Sequence, residues 1–340
     1  MKCGIPSNAW RVFSSMPCKD TAVWNSMISG LGRAGLFIDA LSCFRNMLEE
    51  GVKVDYMTMP SILKACGHDG HLMKGKELHG QIIKCSKYQD DMAIGNSMID
   101  MYSKCGCFRY SEKVFENMRD LNIVSWTTMM SCYGSHGKGH ESLKIYKNMG
   151  DAGFKPNCIT LTALLSSCSH AGLINEGRAV FYSFIHKYGF EPRVEHFACM
   201  VDLLGRCGHI EEAFQLIKDE VSIAMASAWG ALLASCVMHK NIEIGRIAAC
   251  HLFKLEPKNT SNYIALCTIY KSLGMRNEFS ETRSKIRELS LVKSPGYSWI
   301  NIAGEIHKFY QGDLSHPFAD IIYEVLDGMT ATLTMPRRCG

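Results

Sequence analysis

Sixteen cysteines are present, yet no Cys-x-x-Cys pair occurs anywhere in the chain. That absence removes the paired-thiolate spacing of common structural zinc sites and of thioredoxin-like redox motifs. No apolar run approaches the roughly 20 residues that span a bilayer, so neither a helical anchor nor a membrane partner is expected. An excess of one charge is lacking too. Lys and Arg total 37 against 33 Asp and Glu, a net charge of +4, and the pI is near 8.3. Such a mild bias favours a polyanionic partner only weakly. With 47% hydrophobic and 21% charged residues, the chain has the composition of a folded protein and not of a disordered one.

What is present is repetition. A shift of 102 residues superimposes Cys3, Cys105 and Cys207, Trp24 and Trp126, Phe13 and Phe115, Met16 and Met118, and Gly75 and Gly177. Within that long unit a glycine returns at Gly4, Gly35, Gly70, Gly106, Gly137, Gly172, Gly208 and Gly274, at spacings of 31, 35, 36, 31, 35, 36 and 66. Periods of this length mark a solenoid, in which no unit buries its apolar face alone and each must stack on its neighbours.

In the block Thr21 to Asp55, Val23, Trp24, Met27, Ile28 and Leu31 recur at three- and four-residue steps and predict one helix. Gly35 suits its left-handed end, and Ala40, Leu41, Phe44, Met47 and Leu48 predict a second helix ending near Gly51. Each block is therefore expected to be a helical hairpin. Five more span residues 56–91, 92–122, 123–157, 158–193 and 194–225, and two altered hairpins span 226–259 and 260–293. Beyond Pro295-Gly296 the segment from Tyr297 to Phe309 alternates like a β-hairpin with an Ala303-Gly304 turn, and Pro317 to Met329 predicts a closing helix. Residues 331–340 read as a tail. At the other end, residues 1–20 match the tail of a repeat and not a signal or transit peptide, which implies a longer parent chain. Most cysteines recur at fixed repeat positions, among them Cys66, Cys168 and Cys236. They are expected to be small buried hydrophobes in a reducing compartment.

The phrases Trp24-Asn25-Ser26-Met27-Ile28, Leu63-Lys64-Ala65-Cys66, Ile99 to Gly106 and Met200 to Arg206 resemble the hallmark phrases of plant pentatricopeptide repeats. The resemblance is to the subfamily that cycles through variants of about 35, 36 and 31 residues. Trp229 to Leu233, Leu255-Glu256-Pro257, Pro295 to Trp299 and Gly312 to Pro317 resemble its C-terminal E and extended-E region, placing the E motifs at 226–294 and the extension at 295–330. The resemblance implies an all-α, right-handed superhelical solenoid carrying a small β-hairpin and helix appendage. It also implies binding of single-stranded organellar RNA to direct cytidine-to-uridine editing, in the mitochondrion or alternatively the plastid.

Repeats of this kind read one base each with two or three side chains. In the family the fifth and last residues of a repeat meet the base and the second packs on it. Here that implies Asn25 with Asp55 for uracil, Asn96 with Asn122 for a pyrimidine, and Thr127 with Asn157 for adenine. Asn, Asp and Thr at such places are also ordinary caps and turn formers, and base reading is the favoured use. Pro60 with Asp91, Thr162 with Arg193, and Ala198 with Met225 depart from the code, as does Glu195 at a second position. The readable word is 5′-U-N-Y-A-N-N, with the edited cytidine some way downstream.

Lys2, Arg33, Lys104 and Arg206 share the thirteenth position, which the family uses for the RNA backbone. A solvated basic face is the alternative. Four phosphate contacts would give a log-log salt slope near −2.8, about −0.7 each. His209-Ile210-Glu211 spells the deaminase H-x-E, but no C-x-x-C follows, so no catalytic residue, metal or cofactor is assigned. The resemblance instead implies a specificity factor that obtains a deaminase or editing accessory proteins in trans, with Tyr297, Trp299, Phe309 and Tyr310 as a docking face or as the appendage's own core. No small-molecule substrate is expected. A protein-binding helical scaffold and an RNA splicing or stability factor remain the alternatives.

Overall fold

The computed structural model describes residues 6–219, 226–291, 296–302, 305–310 and 313–334. The chain separates into two compact units, Met1–Leu291 and Val292–Gly340.

In the first unit α1 (Pro6–Ser15) is followed by paired helices. These are α2 (Thr21–Arg33) with α3 (Phe37–Glu49), α4 (Thr58–Asp69) with α5 (Leu72–Lys84), then a single turn, α6 (Ser86–Gln89), and α7 (Met92–Lys104) with α8 (Phe108–Asn117). The series continues with α9 (Ile123–Ser135) and α10 (Gly139–Asp151), α11 (Cys158–Ala171) and α12 (Ile174–Tyr188), α13 (Val194–Arg206) and α14 (Ile210–Asp219). It ends with α15 (Ala226–His239) and α16 (Ile242–Leu255), and α17 (Thr260–Ser272) and α18 (Arg276–Glu288).

The recurring glycine has one local cause. After α2, Gly35 adopts φ +76°, while the Leu36 N–H donates to Leu31 O and the Gly35 N–H to Gly32 O. This left-handed cap satisfies two carbonyls that the helix end would leave open. The same six-residue bond closes α7 past Gly106, from Cys107 N to Tyr102 O, and α13 past Gly208, from His209 N to Leu204 O.

Stacking follows from the buried stripe. Trp24, Met27, Ile28 and Leu31 are all within 5% of full burial, because α2 packs on both α3 and α4. Each first helix of a pair packs on the next, in the order α2, α4, α7, α9, α11, α13, α15, α17, so one continuous layer of first helices runs through the unit. Close approach within it needs glycine. A Cβ on Gly134 of α9 would lie 2.9 Å from Ser167 Cβ and 3.0 Å from Ser167 Cα of α11, which no ordinary packing allows.

Two expectations need correction. The 56–91 block is not a bare hairpin, because α6 intervenes; its Tyr88 hydroxyl donates to Val54 O of the preceding loop at 2.8 Å, which pins the extra turn in place. Nor are the cysteines uniformly buried, since Cys18 and Cys250 are exposed, while Cys43, Cys66, Cys132, Cys168, Cys236 and Cys267 are buried.

In the second unit, β1 (Tyr297–Ile302) and β2 (Glu305–Tyr310) pair antiparallel, from Tyr297 opposite Tyr310 to Ile302 opposite Glu305. Helix α19 (Ala319–Thr334) follows. The Ala303-Gly304 turn, Lys2, Met225 and the side chains of Tyr297 and Trp299 lie outside the described residues. Among the described residues no helix is long and apolar enough to cross a membrane.

Candidate nucleic-acid interface

The fifth residue of a block sits in the first or second turn of a first helix, and each described last residue sits shortly before the next first helix. Stacking brings them together. The Asn25 amide donates from Nδ2 to Asp55 Oδ1 at 2.9 Å, joining the fifth and last residues of one block. Thr58, fully buried at the start of α4, places its Oγ1 2.6 Å from Asn25 Oδ1 and 2.9 Å from Asp55 Oδ1. Asp55 Oδ1 also accepts from the Met57 and Thr58 backbone N–H groups, each at 2.9 Å. Burial of the Asp55 carboxyl pushes its pKa up, but the hydrogen bonds from Thr58, Asn25 and Met57 outweigh it and hold the value below the ordinary carboxylate range. An open hollow of about 540 Å³ lies over this pair, bordered by Asp20, Thr21, Ser26 and Met57.

A second hollow, of about 330 Å³, crosses three first helices. Pro60 and Lys64 of α4, Asn96 and Asp100 of α7, and Val124 and Thr128 of α9 line it. Asn96 is 8% exposed, and its Oδ1 is buried with no hydrogen-bond partner. An unmet amide oxygen of this kind costs about 1–3 kcal/mol. Asn96 thus combines an orphaned buried oxygen with a place in the lining of this hollow.

Asn122 and Asn157 sit in capping boxes. Asn122 Oδ1 accepts from Ser125 N at 3.0 Å, and Asn157 Oδ1 from Thr160 N at 2.9 Å. Each cap uses the oxygen, and among the described residues no hydrogen bond from the amide NH2 is seen. Thr127 is buried, and its hydroxyl lies 2.9 Å from Ile123 O of its own helix, so its proton is spent and its lone pairs remain. Base reading and capping are thus compatible uses of the same side chains. Sequence inspection missed the shared partner three residues after the block's last, Thr58, Ser125 or Thr160, although the Asp/Asn-x-x-Ser/Thr spacing signals it. In the 194–225 block His196 takes that place: Arg193 N–H donates to its Nδ1 at 2.9 Å, and Nε2 meets Cys158 O at 3.0 Å. Arg193 therefore supplies no side-chain cap.

Among the second-position residues, Met57, Val124 and Ile159 are large, apolar and more than half exposed. Pro60 is the third residue of α4, where a missing N–H breaks no helical bond. Asp91 caps α7 through Ile94 N. The Thr162 hydroxyl returns to Cys158 O, and Ala198 is half-buried.

Two of the described thirteenth-position cations are ion-paired. Lys104 Nζ lies 2.6 Å from Asp100 Oδ2 and Arg206 Nε 2.9 Å from Asp202 Oδ2, while Arg33 bonds Ser29 Oγ. His209 precedes α14 and lies 3.6 Å from Glu212. Among the described residues no group of three or more His, Cys, Asp or Glu could hold a metal ion. In the second unit, His316 has its ring 5.3 Å from Phe309 and 5.9 Å from Phe318, so Phe309 is engaged within its own unit, while Tyr310 is 36% exposed.

Family models match this architecture. The PPR repeat model matches residues 22–52, 96–123, 159–187 and 195–219, the PPR repeat family model residues 121–170, and the E motif model residues 239–301. Together they cover more than half of the chain. The chain belongs to the pentatricopeptide repeat family. A chloroplastic pentatricopeptide repeat-containing protein of Arabidopsis thaliana is 39% identical over 337 residues, 96% of this chain and 37% of the relative. A mitochondrial one from the same plant is 37% identical over 319 residues, 94% of this chain and 48% of the relative. The chain thus spans less than half the length of these two relatives. Among solved structures, the pentatricopeptide repeat protein PPR10 in complex with an 18-nucleotide psaJ RNA element superimposes with a TM-score of 0.63 at 16% identity, over 85% of this chain and 43% of that one. That likeness establishes a pentatricopeptide repeat solenoid.

Proposed function

We propose that this pentatricopeptide repeat chain binds single-stranded RNA in a plant organelle by sequence and marks a site for cytidine-to-uridine editing, with the deaminase supplied in trans. The observation that carries the reading is Asn96, a residue that lines an open hollow between consecutive repeats and whose buried amide oxygen has no protein partner. A base edge offering an N–H group meets that need, and the exposed apolar Val124 beside it offers a surface for the base plane. Asn25 with Asp55, Asn96 with Asn122, and Thr127 with Asn157 are assigned to the first, third and fourth bases of the word 5′-U-N-Y-A-N-N. Arg33, Lys104 and Arg206 are assigned to phosphates.

The E motif supports editing over splicing or transcript stabilisation. Relatives named as chloroplastic and as mitochondrial support an organelle, and the mitochondrion stands ahead of the plastid in this reading. Polar residues at the fifth and last positions of the three clearest blocks disfavour a protein-binding scaffold, whose groove would be apolar. The test is fluorescence anisotropy of the full chain on RNAs carrying the word and on RNAs with its first, third or fourth nucleotide changed. Equal affinity for all of them would refute base reading. Loss of editing at one organellar cytidine in a knockout, with splicing intact, separates editing from the other RNA roles.

A further inference from the structure

Along a first helix the fifth, ninth and thirteenth residues lie one above another on one face, each step about 6 Å along the axis. On α7 that line is Asn96, Asp100 and Lys104, and on α13, 102 residues later, it ends in Asp202 and Arg206. A nucleotide that sets its base against the fifth residue and its phosphate against the thirteenth must lay its ribose across the ninth. The ninth residue is polar in all six blocks, as Ser29, Lys64, Asp100, Ser131, Ser166 and Asp202, and none of the six is buried.

The two aspartates share a further feature. Lys104 engages Asp100 through Oδ2 at 2.6 Å. Asp202 Oδ2 accepts from the Ser169 hydroxyl at 2.5 Å and from Arg206 Nε at 2.9 Å. In each case one carboxylate oxygen is held, and among the described residues no hydrogen bond reaches the other. Asp100 lines the same hollow as Asn96, the residue whose amide oxygen lacks a partner. Pairing with Lys104 or Arg206 also cancels the charge that would otherwise repel a phosphate. A carboxylate only accepts hydrogen bonds, and the ribose 2′-hydroxyl is the donor that RNA has and DNA lacks.

We propose that Asp100 accepts a hydrogen bond from the 2′-hydroxyl of the nucleotide held at Asn96, that Asp202 does the same in its own block, and that these two carboxylates make the protein select RNA over DNA. The proposal rests on the RNA-binding reading. It is tested with the full chain by competition between an all-ribose RNA carrying 5′-U-N-Y-A and the same RNA with a single 2′-deoxy sugar at the third nucleotide. The deoxy sugar weakens wild-type binding about tenfold, the loss of one hydrogen bond to a charged acceptor, and Asp100→Ala binds the two RNAs within about twofold of each other. Freeing Lys104 in that variant shifts both affinities together, so the ratio is the readout. A 2′-O-methyl sugar, which keeps the oxygen but not its proton, also weakens the wild type. Equal wild-type binding of the ribose and deoxy RNAs, or a deoxy penalty unchanged in Asp100→Ala, overturns the proposal and leaves the RNA-binding reading standing. Failure of the all-ribose RNA to bind overturns both.

Discussion

Asn96→Ala is expected to make the protein more stable and a worse RNA binder at once. The substitution removes an amide oxygen that is buried without a partner, which relieves about 1–3 kcal/mol of desolvation cost. Alanine in place of asparagine within α7 adds about 0.6 kcal/mol of helix propensity. Against these stands the lost packing of a small side chain beside an already open hollow, about 1 kcal/mol. The net is a gain of about 0.6–2.6 kcal/mol, visible as a higher urea midpoint with the slope unchanged. The same change deletes one base contact, worth about 1–3 kcal/mol and so roughly 5- to 150-fold in affinity for the matched RNA. Gain of stability with loss of function is the mark of a residue kept for binding. A variant less stable than the parent, or one that binds the matched RNA as well as the parent does, would show that the Asn96 oxygen is not waiting for a ligand.

Gly134→Ala places a methyl group 3.0 Å from Ser167 Cα, so α9 and α11 must separate; a loss of about 1–3 kcal/mol in urea unfolding is expected, and a neutral result would contradict the close stacking. Asp55 has its folded pKa below its ordinary 3.8, so its network adds stability that is fully present above that value and disappears as the pH falls through the folded one. Acid unfolding followed by circular dichroism is therefore expected to be less steep below about pH 4 in Asp55→Asn, and an identical profile would refute the assignment. Because Lys104 and Arg206 are paired with Asp100 and Asp202, the salt slope of RNA binding is expected to be shallower than about −2.8, and Asp100→Asn to steepen it by up to about 0.7. Burial raises the thiols of Cys66 and Cys236 to about 12, while Cys18 and Cys250 are exposed; mass spectrometry after alkylation at neutral pH is expected to find the latter two labelled first.

The helical hairpins were legible because their signals are local. A 3.6-residue apolar stripe and a glycine in the left-handed cap act within one helix and its next few residues, so Trp24 to Leu31 and Gly35 announced α2 and its end before any tertiary contact was known. Strand alternation likewise announced β1 and β2. The extra turn α6 was not legible, because what holds it is a bond from Tyr88 to Val54, 34 residues away.

For the interface the division falls elsewhere. Repetition in the sequence determined which residues occupy equivalent places, since a copied hairpin returns the same position to the same side of a stack. Only the packed structure decided what state each side chain is in there: Asn25 tied to Asp55 and Thr58, Asn122 and Asn157 sharing their amides with helix caps, Lys104 and Arg206 neutralised by acids one turn away, and the Asn96 oxygen left without a partner. Those outcomes depend on distances between neighbouring helices and on exclusion of water, and a periodic string of residues carries neither.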